Sequence, residues 1–132
     1  MSTIRWGALL LIALLMAGCA PGGVVQVDAR ADGTGVMLRP GQVLEIILPA
    51  NPTTGYQWQM DPTSPIDEGV LTYLGDTYQP GGGPGVVGAG GRWTGRFQAV
   101  NTGETEIRLV YVRPWEQEAK PAETFSLHVV VR

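Results

Sequence analysis

The sequence predicts an all-β domain of about seven to eight short strands in two packed sheets, and three observations carry that prediction. Apolar and polar residues alternate with a period of two through most of the chain, as they do where a strand buries one face. Clusters of Gly, Pro, Asn and Asp punctuate these segments at intervals of roughly 8–12 residues. Beyond the first residues, no stretch of about ten keeps helical periodicity. Together these describe an antiparallel β-sandwich of immunoglobulin-like type.

The first 18 of the 132 residues stand apart from this pattern. Arg5 supplies a positive charge, Trp6 to Met16 form an apolar run too short to cross a bilayer comfortably, and the small residues Ala17 and Gly18 precede Cys19. This reads as an export signal over residues 1–18. Leu15-Met16-Ala17-Gly18-Cys19 resembles a bacterial lipoprotein cleavage box, with Met16 where a branched aliphatic residue is usual. In that reading Cys19 becomes the lipidated first residue, and residues 19–23 form a flexible spacer before a folded domain over 24–132. The alternative is an ordinary signal peptide with an incidental cysteine. Cys19 is the only cysteine, so the domain closes no internal disulfide. Ala20 resembles the default for sorting to an outer membrane facing the periplasm, in a cell with two membranes.

Within the domain, Val25 and Val27 alternate with Gln26 and Asp28 as a first strand, and Asp32-Gly33-Thr34-Gly35 turns the chain into Val36 to Leu38. After Arg39-Pro40-Gly41, the segment Val43 to Leu48 is a strand with Leu44, Ile46 and Leu48 facing the core and Glu45 facing away. It runs into Asn51-Pro52-Thr53-Thr54-Gly55-Tyr56. Pro52 fixes its own φ and pushes Asn51 towards an extended backbone, and Gly55 admits a geometry that a Cβ would resist. The expected product is a stiff, protruding loop. Tyr56, Trp58 and Met60 alternate with Gln57 and Gln59 in the strand that leaves it.

Asp61 to Pro65 is a loop, and Val70 to Leu74 a further strand. From Tyr78 to Gly91 half of the fourteen residues are glycine, an unusual length and composition for a hairpin link. Its end, Gly88-Ala89-Gly90-Gly91, is either a flexible link or an open backbone surface against which another protein lies. It cannot cradle phosphate in the usual way, because a strand rather than a helix follows. Trp93, Gly95, Phe97 and Ala99 alternate next. Asn101-Thr102-Gly103 turns into a strand carrying Ile107, Leu109 and Tyr111, which ends at Arg113-Pro114-Trp115-Glu116. Phe125, Leu127, Val129 and Val131 form one face of the last strand.

Catalysis needs a nucleophile, an acid or base, or a metal in mutual reach, and the sequence is poor in all three. His128 is the only histidine and reads as structural or surface, which removes a multi-histidine zinc site. Asp67-Glu68 and Glu116 to Glu118 read as solvated loop charge, with a weak calcium site as the alternative. Nine basic residues stand against twelve acidic ones, a net charge of −3. Without Arg5 the balance is −4. No basic cluster offers the footprint that nucleic acid needs. Trp115, between Pro114 and Glu116 just past a strand, reads as an exposed tip rather than a core aromatic, and Trp is enriched in interface hot spots.

Three separated signals, Asn51-Pro52-Thr53-Thr54-Gly55-Tyr56, Gly88-Ala89-Gly90-Gly91 and Arg113-Pro114-Trp115, together resemble the chagasin family of cysteine protease inhibitors. The likeness covers nearly the whole domain, with Trp58 after the first motif and Trp93 after the second. It implies an immunoglobulin-like sandwich with the three motifs as neighbouring loops at one end, and papain-like cysteine proteases as partners. It places Asn51 to Tyr56 in the active-site cleft, with Thr53 and Thr54 nearest the catalytic thiol, and the other two loops on either side. It implies reversible steric blockade by a monomer that is not an enzyme and uses no cofactor or metal. The competing expectation is an envelope-anchored immunoglobulin-like module that binds another partner.

Overall fold

The computed structural model describes residues 22–82, 90–116 and 118–132. Eight strands are present: β1 (Val24–Asp28), β2 (Thr34–Leu38), β3 (Val43–Ala50), β4 (Gln57–Met60), β5 (Leu71–Gln79), β6 (Gly91–Ala99), β7 (Gly103–Val112) and β8 (Glu123–Val131). They form two four-stranded sheets, in the orders β1-β3-β6-β5 and β2-β8-β7-β4. This is the expected immunoglobulin-like sandwich.

The alternation of the sequence becomes the core. Leu44, Ile46 and Leu48 of β3 are buried against Phe97 and Ala99 of β6, and Ile107 and Leu109 of β7 meet Phe125, Leu127, Val129 and Val131 of β8. Burying each large apolar side chain is worth about 1.5–3 kcal/mol relative to exposure. Four of the sheet pairings are antiparallel. At one edge of each sheet the pairing, β1 with β3 and β2 with β8, is parallel.

One turn of the chain joins the two parallel edges. The chain runs along β3 as β1 in the first sheet, reverses through a short 3-10 turn at Ala29–Ala31, and returns along β8 as β2 in the second sheet. Asp28 caps that turn by accepting from the Arg30 amide at 2.9 Å. Val24 pairs with Val43, at the start of β3. The described chain therefore enters the sandwich at the end opposite the one where β3 finishes.

β5 runs further than the sequence suggested, reaching Gln79 rather than stopping at Leu74. The register against β6 slips between Tyr73 and Gly75, and Gly75 sits at φ 112°. One extra residue at this bulge inverts the alternation beyond it, which hides the second half of the strand from a period-two reading. The glycine-rich connection is correspondingly shorter, from Pro80 to Gly90. Its two arms converge: a Cβ on Gly81 would collide with the Gly90 carbonyl oxygen.

Candidate functional site

Three connections meet at the end of the sandwich where β3 finishes: β3–β4, β5–β6 and β7–β8. Ala50 pairs with Gly91, and Gln57 with Val112, which fixes the three together.

The central connection is built by its own hydrogen bonds. Asn51 is extended (φ −139°, ψ 91°) and caps a 3-10 turn over Pro52–Thr54. Its Oδ1 accepts from the Thr53 amide at 3.3 Å and from the Thr53 hydroxyl at 2.6 Å. The Thr54 hydroxyl donates to the Asn51 carbonyl at 2.7 Å. Gly55 closes the turn in the left-handed region at φ 83°, its amide donating to the Pro52 carbonyl at 3.0 Å. Pro52, Thr53 and Thr54 are exposed. Because both threonine hydroxyls donate inwards, the tip turns oxygen lone pairs and methyl groups outwards.

Below the tip stands a column of aromatic rings. Tyr56 stacks on Tyr111 with centroids 5.3 Å apart, Tyr111 meets Trp58 at 4.9 Å, and Trp58 meets Trp93 at 6.4 Å. The polar handles of Tyr111, Trp58 and Trp93 are each satisfied. The Tyr111 hydroxyl accepts from the Asn51 amide at 2.8 Å, Trp58 Nε1 donates to the Pro49 carbonyl at 2.9 Å, and Trp93 Nε1 donates to Asp76 Oδ2 at 2.7 Å. The loop is thus bolted to the core at its entry by Tyr111 and Trp58.

The β7–β8 connection leans on the same loop. Arg113 Nε donates to the Thr54 carbonyl at 3.0 Å, and its guanidinium lies 4.5 Å from the centre of the Tyr56 ring. Its Nη1 pairs with Glu116 Oε1 at 3.2 Å. Glu116, read from the sequence as solvated charge, is therefore part of the framework. Pro114 is exposed, and Trp115 is 67% exposed as a tip. The edge of the Trp115 indole occupies the space where a Cβ on Gly55 would stand, so Gly55 is required twice, for its φ and for this contact.

Of the third connection, Gly90 and Gly91 lie beside the central loop, with Gly90 against the Ala50 carbonyl oxygen. Gly88, Ala89 and Cys19 fall outside the described residues. All the other sequence-derived candidates meet at this one end, although Tyr56 and Arg113 are engaged within the protein. Tyr111 and Glu116 were not among the candidates. Tyr111 occupies a core-facing position of a long strand, and nothing in its spacing distinguishes it from Leu109.

A sandwich that gathers three connections at one end, two of them braced against each other, with an exposed threonine pair and a tryptophan tip, has the architecture of a protein that inserts an edge into a partner. Residues 37–129 match the family described as chagasin family peptidase inhibitor I42, and the chain belongs to that family. It is 38% identical over 101 residues to Amoebiasin-1 of Entamoeba histolytica, covering 76% of this chain and 93% of the relative. Over 107 residues it is 29% identical to Chagasin of Trypanosoma cruzi, covering 79% and 94%. The crystal structure of a cysteine protease inhibitor from Entamoeba histolytica superposes with a TM-score of 0.73 at 25% identity, covering 85% of this chain and 98% of that one. The solution structure of amebosin gives a TM-score of 0.65 at 34% identity, covering 86% and 100%.

Proposed function

We propose that this chain is a reversible inhibitor of papain-like cysteine proteases that fills the active-site cleft with the loops at one end of its sandwich. The observation that carries this reading is the single braced edge formed by the Pro52–Thr54 turn and the Trp115 tip, in a chain of the chagasin family. Thr53 and Thr54 face the catalytic thiol, Trp115 with Pro114 covers one flank, and the Gly88 to Gly91 backbone the other. Asn51, Gly55, Tyr56 and Arg113 give this edge its shape. Loops held in this way lose little conformational entropy on docking, so more of the contact energy appears as affinity. A 3-10 turn does not offer a peptide bond in the extended pose that a protease cleaves, so the bound edge blocks without being turned over.

We further propose export through residues 1–18 and lipidation at Cys19, with residues 19–23 as the spacer, which places the domain at the cell envelope. Mass spectrometry of the mature terminus tests the anchor: an unmodified Cys19 overturns lipidation.

The test of inhibition is residual papain activity on a fluorogenic peptide with protein comprising residues 20–132. Inhibition that is relieved on dilution is expected. Full papain activity at micromolar inhibitor overturns the reading.

A further inference from the structure

We propose that Arg113 is a positioning residue, a latch that joins the β3–β4 and β7–β8 connections into one body before any partner is met. This rests on the inhibitory reading for its consequence and on the free protein for its evidence.

The guanidinium is used on three sides by the protein itself. One edge reaches across to the main chain of the central turn at Thr54, another returns to Glu116 within its own connection, and a flat face lies over Tyr56. Its side chain is only 35% exposed. Arg113 also opens the tight turn that presents the tip, since the Glu116 amide donates to the Arg113 carbonyl at 2.9 Å. Trp115 sits inside that turn and rests on Gly55. One residue therefore holds the backbone of the threonine turn and, through Glu116, the turn that carries the indole.

Planar geometry explains why arginine suits this place. Five donors in a fixed fork can span a carbonyl and a carboxylate while a face remains free to stack. A lysine ammonium, a compact point charge, lacks the fork that spans the Thr54 carbonyl and the Glu116 carboxylate and has no planar face to lay over Tyr56. In the free inhibitor the Nε and Nη1 of Arg113 are already committed to Thr54 and Glu116, whereas a residue that served only to contact the target would leave them unengaged.

Two measurements test the latch. In the free protein, the Arg113 Nε–H resonance and the Gly55 amide are followed by NMR hydrogen exchange. Against papain, inhibition constants and association rates are compared for Arg113→Ala, Arg113→Lys, Glu116→Gln, Trp115→Ala and the double variant Arg113→Ala/Trp115→Ala. A slowly exchanging Nε–H is expected in the free protein, with faster Gly55 exchange in Arg113→Ala. Inhibition by Arg113→Ala should weaken about ten- to a hundredfold, the range for a lost hydrogen bond to a charged group. Arg113→Lys should recover only part of this, and the double variant should lose less than the product of the two single losses. Losses that multiply, with Gly55 exchange unchanged in Arg113→Ala, make Arg113 a direct contact and overturn the proposal. Unchanged inhibition by Arg113→Ala also overturns it. If Arg113→Ala fails to fold, Glu116→Gln and Arg113→Lys carry the same comparison. Wild-type protein that leaves papain active refutes the inhibitory reading alone, because the exchange measurement needs no protease.

Discussion

Replacing Tyr111 by Phe isolates one bolt of the inhibitory edge. The phenyl ring keeps the stack with Tyr56 and Trp58, and only the hydroxyl that accepts from the Asn51 amide is lost. Tyr111 is 8% exposed, while Asn51 above it is half-buried. Water then reaches the freed amide in part, and the penalty falls at the lower end of the range for an abandoned partner, about 1 kcal/mol. For a domain of this size that lowers the melting temperature by roughly 4 °C. The same amide sits where the chain turns out of β3, so the threonine turn loses its fixed entry angle. Papain inhibition should weaken by about fivefold if the whole penalty is felt in the bound geometry. Thermal denaturation followed by circular dichroism, with inhibition constants measured in parallel, checks both numbers. Wild-type melting together with wild-type inhibition would refute the claim that this hydroxyl holds the loop.

Three further outcomes are expected. Trp115→Ala should weaken inhibition by roughly 2 kcal/mol or more, as a hot-spot aromatic does, and leave the melting temperature unchanged because the indole is mostly exposed; unfolding instead would mark it as a core residue. Gly55→Ala places a Cβ where the Trp115 indole lies and at a positive φ, so it should displace the tip and weaken inhibition by about five- to a hundredfold, the range that backbone strain of roughly 1–3 kcal/mol gives, read out as changed Trp115 fluorescence. Just past β4, the Thr63 hydroxyl and amide donate to the Asp61 carboxylate and, with a smaller contribution from Arg108, lower its pKa from 3.8. The depressed value means that Asp61 contributes stability above its unfolded pKa and loses it as the pH falls through the folded one. Acid unfolding curves of Asp61→Asn should lack that component, and curves identical to wild type would contradict it.

Much of this architecture was legible because burial repeats every second residue. β3, β6, β7 and β8 could be read from Leu44 to Leu48, Trp93 to Ala99, Ile107 to Tyr111 and Phe125 to Val131, since each buries one face. The parallel edges could not, because alternation reports which face is buried and is silent about the neighbouring strand. The far half of β5 was hidden by the bulge at Tyr73 and Gly75, where one added residue swaps the faces. In the site, Pro52 and Gly55 declared the turn because their backbone preferences are intrinsic. The parts played by Tyr111, Arg113 and Glu116 depend on what lies across the loop, 60 residues away along the chain for Tyr111 and Asn51. Such long-range partnerships leave no local mark, so an arginine that braces the protein looks the same as one that greets a partner.

The parallel pairing of β1 with β3 bears on how the molecule can be held. Gly22 and Val24 lie at the foot of β3, and the strand ends at Ala50, seven residues above Val43 and about 23 Å away, just before the threonine turn. A bead, fusion partner or lipid joined ahead of Gly22 therefore grips the molecule by its heel. The working edge points outwards, like a blade clamped at the tang, and tethering there should cost little of its reach.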